Sequence, residues 1–180
     1  MDSIIYDPAE DSYLFKEFLE ETFGDKNCSN ISFLDMGCGL GILAKTARDL
    51  GFKRVLAVDI NDKALEKTKE LGIETLKSNL FENIKEKFDT ICFNVPYLPE
   101  DKREPKESQL ATTGGEKGDE ISIEFLKQSK KNLKENGKVY LLISSLTPLA
   151  EINKFKPKKV ASKKIDFEEL IILEFNEESF

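Results

Sequence analysis

The chain has 180 residues, 39% of them hydrophobic and 34% charged, with a formal net charge of −7 and neither histidine nor tryptophan. This length suits one domain large enough to bury a core, and the apolar fraction excludes a disordered chain. The absence of histidine excludes Ser–His–Asp and Cys–His catalysis, histidine zinc sites and any imidazole general base.

No apolar run approaches the roughly 18 residues of a membrane helix, and Met1-Asp2-Ser3 lacks the basic-then-apolar opening of a secretory signal. Cys28, Cys38 and Cys92 form no CxxC pair and are odd in number. That argues against a structural zinc or a disulfide framework, so no metal site and a reducing cytoplasm are expected. The acidic balance disfavours tight non-specific binding of nucleic acid.

Taken in chain order, helical periods alternate with strand-like runs. Leu14, Phe15, Phe18, Leu19 and Phe23 recur at helical spacing and stop at Gly24; the first strand candidate is Ile31–Met36. Ile42, Leu43, Ala47 and Leu50 form the next helix before Gly51, followed by a strand over Arg54–Ile60. Ala64, Leu65, Thr68 and Leu71 end at Gly72, and strands follow at Ile73–Lys77 and Phe88–Phe93. From Leu98 to about Glu120 the chain is rich in proline, glycine and charge, with little periodicity. A loop of this length inside a compact domain is functional or disordered. Phe125, Leu126, Ser129 and Leu133 then mark a helix ending near Asn136-Gly137, and strands at Lys138–Ser144, Lys159–Ile165 and Leu170–Phe175 complete the chain. Glycine just past the last apolar position is the expected helix stop, because it tolerates positive φ. The runs Val55–Val58 and Val139–Ile143 are apolar on both faces, so the pattern is α/β with a mostly parallel sheet.

Four strand ends carry chemistry. Asp35-Met36-Gly37-Cys38-Gly39-Leu40-Gly41 closes the first strand and opens a helix. Its glycines permit a tight turn and a close backbone approach to a ligand. The acidic residue two positions before Gly37 suits a ligand with an ammonium group better than a pyrophosphate. A plain strand-to-helix turn is the competing account. Asp59 lies 18 residues after Gly41, the register at which a carboxylate reaches a ribose diol. It also precedes a helix, yet Asn61 or Asp62 can cap that helix while Asp59 binds. The third strand ends at Ser78-Asn79-Leu80-Phe81, where an amide could read an adenine edge. The fourth runs into Asn94-Val95-Pro96-Tyr97. There Asn94 offers a carbonyl acceptor, Pro96 holds Val95 extended and Tyr97 supplies a flat face, a set able to grip an –NH2 on a planar group.

These four elements in this order resemble the class I, S-adenosyl-L-methionine-dependent methyltransferases that modify planar amino groups. The N-terminal Tyr6-Asp7-Pro8-Ala9-Glu10-Asp11-Ser12 is similar to the signature of one branch, the HemK-related release-factor glutamine methyltransferases of archaea and eukaryotes. Gly114-Gly115-Glu116-Lys117-Gly118 resembles that branch's Gly-Gly-x-x-Gly element. The resemblance implies a Rossmann-like domain over 1–180 with a seven-stranded, mostly parallel sheet and helices on both faces. Within it, 1–30 forms an N-terminal helical lid segment and 98–120 a substrate loop.

Carried over by residue, the resemblance implies that Asp35, Gly37, Cys38 and Gly39 hold the methionine moiety. Asp59 and Ile60 lie at the ribose, Asn79 and Leu80 at the adenine. Tyr6, Glu10 and Ser12 belong to the segment that closes over the cofactor. Asn94, which also borders the cofactor, and the carbonyl of Val95 would take the substrate nitrogen, with Pro96 and Tyr97 beside it. The implied substrate is the glutamine of the Gly-Gly-Gln motif in a class I translation termination factor, and the implied partner is a small zinc-binding activator subunit forming a heterodimer. Two positions depart from the family: Val95 stands where it has proline, and Asn79 where it has an acidic residue. The bacterial branch carries an extra N-terminal domain, whereas about thirty residues precede the first strand here, so recognition is expected from the 98–120 loop, from a partner, or from both. In such a sheet Ile73–Lys77 is expected at an edge, open to a partner strand.

Two other readings stay open. An adenine-N6 methyltransferase acting on DNA or RNA would use the same Asn-x-Pro-Tyr chemistry, and the lysines at 154, 156, 158, 159, 163 and 164 would serve it, unless they form a solvated face. A non-catalytic cofactor-binding module would keep the fold without turnover.

Overall fold

In the computed structural model, residues 7–101, 103, 105, 109 and 112–180 are described; Tyr6 lies outside them. Four α-helices of eight residues or more, α1 (Glu10–Phe23), α2 (Ile42–Asp49), α3 (Asp62–Glu70) and α4 (Glu120–Asn132), accompany seven strands among the described residues. These are β1 (Ser32–Met36), β2 (Arg54–Asp59), β3 (Glu74–Lys77), β4 (Phe88–Asn94), β5 (Leu133–Ser144), β6 (Lys158–Ile165) and β7 (Glu168–Phe175).

The strands form one sheet in the order β3-β2-β1-β4-β5-β7-β6. The pairs β1–β2, β1–β4, β2–β3 and β4–β5 are parallel, and only β7 runs antiparallel to its neighbours β5 and β6. β3 is an edge strand, as expected. The chain winds from β1 outward through β2 to β3, then returns to β4 on the other side of β1. A crevice therefore opens at the carboxyl ends of β1 and β4, where ligands bind in doubly wound sheets.

Alternation along the strands divides the core. Leu34 and Met36 of β1 join Ile91, Phe93 and Val139 under Phe125 and Leu126 of α4. Phe33 points the other way and meets Phe15, Phe18 and Leu19 of α1 and Leu43 of α2 with Tyr140 and Leu142. α3 lies beside α2, its Leu65 packed with Ala44 and Ala57. Helices thus cover both faces.

Four local expectations are corrected. The helix after the long loop ends at Asn132 rather than near Gly137, because the Asn132 side chain donates to the carbonyls of Ile84 (3.3 Å) and Glu86 (2.8 Å). Leu133 is already extended and pairs with Phe88, so β5 begins there rather than at Lys138. Gly51 and Gly72 take the expected positive φ, but Gly24 stays right-handed at φ −55, and at the last turn Asn136, not Gly137, is left-handed. β4 also extends one residue further, through Asn94, which pairs with Leu142. No helix among the described residues is long and apolar enough to cross a membrane.

Candidate active site

Four strands of this sheet deliver their carboxyl ends to one cavity of about 550 Å³. The turn after β1 brings Asp35, Gly37, Cys38 and Gly39 to its wall, and the end of β2 brings Asp59 and Ile60. The turn after β3 adds Asn79 and Leu80, and the end of β4 adds Asn94, Val95, Pro96 and Tyr97, with Ser12 arriving from α1. Glu10 does not join them: it is exposed and ion-paired with Lys163 of β6. Lys154 and Lys159 of the lysine-rich stretch are likewise paired, with Glu151 and Glu169.

The turn after β1 is shaped by backbone alone. Gly37, Gly39 and Gly41 all have positive φ, and a Cβ at Gly37 would stand 2.7 Å from the Phe93 ring. Cys38 donates its N–H to the Val58 carbonyl (3.0 Å), tying the turn to β2. The Asp35 carboxylate is fully buried and accepts the N–H of Ala44 at 2.9 Å, inside the first turn of α2. Burial pushes its pKa up to about 7; the Ala44 N–H opposes this and the negative Asp59 adds to it. Asp59 accepts the N–H groups of Gly39 (3.0 Å) and Asn61 (2.9 Å). Asn61 caps α3 by accepting from Lys63 N–H at 3.1 Å, so Asp59 is indeed not the cap. The Cys38 thiol, pushed up by burial and then by Asp35 and Asp59, is no nucleophile here. Asn79 donates to Glu82 at 2.9 Å, and Glu82 also lines the cavity. The acidic group missing at position 79 is present three residues on.

The end of β4 differs in character. Asn94 Nδ2 donates to Ser12 Oγ across 3.4 Å, whereas its carbonyl oxygen is buried and has no hydrogen-bond partner among the described residues. Val95 is 1% exposed and belongs to the apolar core, which fixes it by packing where proline would fix it by its ring. Burial, then Asp11 and Glu168, push the Tyr97 phenol up, so it remains a neutral aromatic face.

The glycine-rich element folds back onto this segment. Leu98 N–H donates to the Thr112 carbonyl (3.0 Å), Gly114 N–H to Leu98 (2.8 Å) and Glu100 N–H to Gly115 (2.9 Å). A Cβ on Gly114 would stand 2.5 Å from the Pro96 carbonyl, and one on Gly118 would stand 2.6 Å from that of Tyr97. Glu120 fastens the element by accepting the N–H groups of Lys117 (3.0 Å) and Gly118 (3.1 Å). Although burial pushes the Glu120 carboxyl up, these N–H bonds hold it below the usual carboxylate range.

Sequence reasoning missed Asp11, Thr112, Glu120, Glu124 and Gln128, all of which line the cavity. The last three carried a signal: they recur every four residues and so share one face of α4. Among the described residues no group of His, Cys, Asp or Glu is arranged to hold a metal.

The sequence model of the methyltransferase small domain matches residues 15–168. The chain belongs to the methyltransferase small domain family. A protein of Methanocaldococcus jannaschii, provisionally named a protein N5-glutamine methyltransferase, is 39% identical over 94% of this chain and 90% of its own length. The release factor glutamine methyltransferase of Streptococcus pneumoniae is 33% identical over 71% of this chain, which spans about half (51%) of that relative. Among solved structures, a ribosomal protein L11 methylase from Lactobacillus delbrueckii subsp. bulgaricus superposes with a TM-score of 0.66 at 21% identity, over 94% of this chain and 80% of that one. A T. thermophilus 16S rRNA methyltransferase in complex with AdoMet and guanosine gives 0.66 at 17% identity, over 94% and 44%. Both likenesses are of fold, and they agree with the seven-stranded Rossmann-like sheet expected from the sequence.

Proposed function

We propose that this chain methylates the side-chain amide of the glutamine in the Gly-Gly-Gln motif of a class I translation termination factor, using S-adenosyl-L-methionine. The reading places it in the cytoplasm and pairs it with a small zinc-binding activator subunit, which the Tyr6–Ser12 signature implies and which the free edge of β3 would accommodate.

The observation that carries the reading is the Asn94 carbonyl oxygen, a buried acceptor without a partner among the described residues, at the end of β4. Native proteins seldom leave such an atom unsatisfied, and functional sites are where they do. Two glutamine methyltransferase relatives, one matching nearly end to end, support the substrate class.

The cavity fits the cofactor. Its carboxylates at Asp35 and Asp59 complement a cationic methionine end and a ribose diol, and the glycine turn keeps side chains off the wall. Asp59 would hold the ribose hydroxyls with its remaining lone pairs, Asp35 and the turn would face the methionine moiety, and Ile60, Asn79 and Leu80 would flank the base. When bound, the cofactor supplies an electrophilic methyl group. A glutamine nitrogen is a weak nucleophile, because its lone pair is delocalised into the carbonyl. Asn94 Oδ1 and the Val95 carbonyl take its two N–H groups and turn the lone pair toward the methyl, and Tyr97 covers the planar amide. The proton can leave after transfer, so no imidazole is needed.

The test is mass spectrometry of the termination factor after incubation with this protein, the cofactor and the activator. The expected result is one added methyl on the glutamine, with Asn94→Ala slowing transfer by about 10²–10³-fold while cofactor affinity stays near that of the parent. An unmodified Gly-Gly-Gln peptide beside a methylated adenine in DNA or RNA would replace this reading with the nucleic-acid one.

A further inference from the structure

An asparagine side chain has two nearly isosteric orientations that exchange a donor for an acceptor. At the end of β4 that choice decides whether an incoming N–H meets an oxygen or a second N–H. We propose that Asp11 and Ser12 form a hydrogen-bond relay that fixes the Asn94 amide with its oxygen free for the substrate, making them positioning residues for methyl transfer.

The relay reads in one direction only. The Asp11 carboxylate accepts from the Ser12 backbone N–H at 2.6 Å and from the Ser12 hydroxyl at 3.2 Å. A serine hydroxyl has one proton, and with that proton committed to Asp11 its oxygen presents lone pairs alone. Only Nδ2 of Asn94 can answer them, and it does so at 3.4 Å. Rotating the amide would set Oδ1 against those lone pairs, two acceptors facing each other in a poorly solvated site. The Oδ1, without a partner among the described residues, is the other end of the same arrangement. Asp11 and Ser12 are 4% and 3% exposed, so water competes little for these bonds. Both residues sit in the first turn of α1, whose apolar face is locked against the sheet. The relay thus reaches across 82 positions of sequence to set one amide.

This inference rests on the reading of Asn94 as the acceptor for the substrate amide, and two kinds of measurement separate them. In kinetics, Ser12→Ala is expected to lower kcat about ten-fold while cofactor Kd changes by less than that factor. Ser12→Thr, which keeps the hydroxyl, recovers most of the loss. Asp11→Ala removes the acceptor of both Ser12 bonds, frees the hydroxyl proton to bond Asn94 Oδ1, and lowers kcat at least as far as Ser12→Ala. In NMR, the Asn94 side-chain amide protons show a nuclear Overhauser contact to the Ser12 β-protons in the parent, and Asp11→Ala abolishes it. If Ser12→Ala weakens cofactor binding in proportion to turnover, or if the Asn94 amide signals are the same in Asp11→Ala as in the parent, the relay is wrong. If the parent transfers no methyl to the glutamine, the functional reading fails, and the NMR contact still decides the relay.

Discussion

The two halves of the cavity are held together differently. On the side proposed for the cofactor, the carboxylates of Asp35 and Asp59 are each anchored by backbone N–H groups at most 20 positions away. On the side proposed for the substrate, Asn94 leans on a serine 82 positions earlier, and Pro96 and Tyr97 lie against glycines from the far end of the long loop. One half is built by local turns, with both carboxylates bonded to backbone N–H groups. The other depends on tertiary packing and keeps one buried acceptor without a partner among the described residues. A half made of local turns tolerates distant change, whereas a half made of long-range contacts transmits it into catalysis.

The sharpest way to break this contrast is at Gly114. A methyl there would press on the carbonyls of Pro96 and Gly118, so Gly114→Ala must shift the segment that presents the substrate amide. Misplacement on the ångström scale costs about 10²-fold in turnover, and cofactor affinity, set on the other side, is expected to stay within a few-fold. Gly51→Ala is the control. Its φ of +80 strains any side chain but nothing lies within 4 Å, so it lowers Tm without touching turnover. Should Gly114→Ala weaken cofactor binding as much as it slows transfer, the two halves are one mechanical unit.

The reciprocal change is Asp59→Ala. It removes a partner of the Gly39 and Asn61 N–H groups together with the acceptor proposed for the ribose. Charge-assisted hydrogen bonds of this kind are worth roughly 10- to 100-fold in affinity, so calorimetry should show cofactor binding weakened by about that factor. At saturating cofactor, kcat is expected to recover most of its value. A kcat that stays low would carry Asp59 into the chemistry and erase the distinction.

The same contrast explains how much of the fold and of the site is legible in the sequence alone. Most strands are legible, and so is the meeting of Asp35, Gly37, Asp59 and Asn79 at one cavity, because short turns fix these residues at or just after strand ends. The end of the last helix is not. Asn132 stops it by bonding to carbonyls nearly 50 positions earlier, and helical period carries no trace of such a contact. Glu10 escapes for a similar reason. It stands in the N-terminal signature beside two cavity residues, but one step along a helix turns a side chain by about 100°, and there it meets Lys163. Asp11 stands in the same signature with no mark of its own, because its role lies in a bond to its neighbour's hydroxyl. Local pattern reveals what local turns build, and packing decides the rest.

The finest probe of the cofactor half is pH. Burial raises the Asp35 carboxyl to about 7, with Asp59 adding to the shift and the Ala44 N–H reducing it. A carboxyl raised on folding keeps its proton longer in the native state than in the unfolded chain, so its contribution to stability is present in acid and is lost as pH climbs through about 7. The free protein is therefore expected to lose Tm from mildly acidic to mildly alkaline pH. Binding runs the other way. A cationic methionine end is favoured by the ionised carboxylate, so cofactor affinity should rise several-fold across about pH 6 to 8. At the low end binding releases a proton, which calorimetry in buffers of different ionisation enthalpy detects. Asp35→Asn should flatten both profiles. Affinity that is indifferent to pH in the parent would show that Asp35 serves only the first turn of α2, through the Ala44 N–H, and that the turn after β1 binds by backbone shape alone.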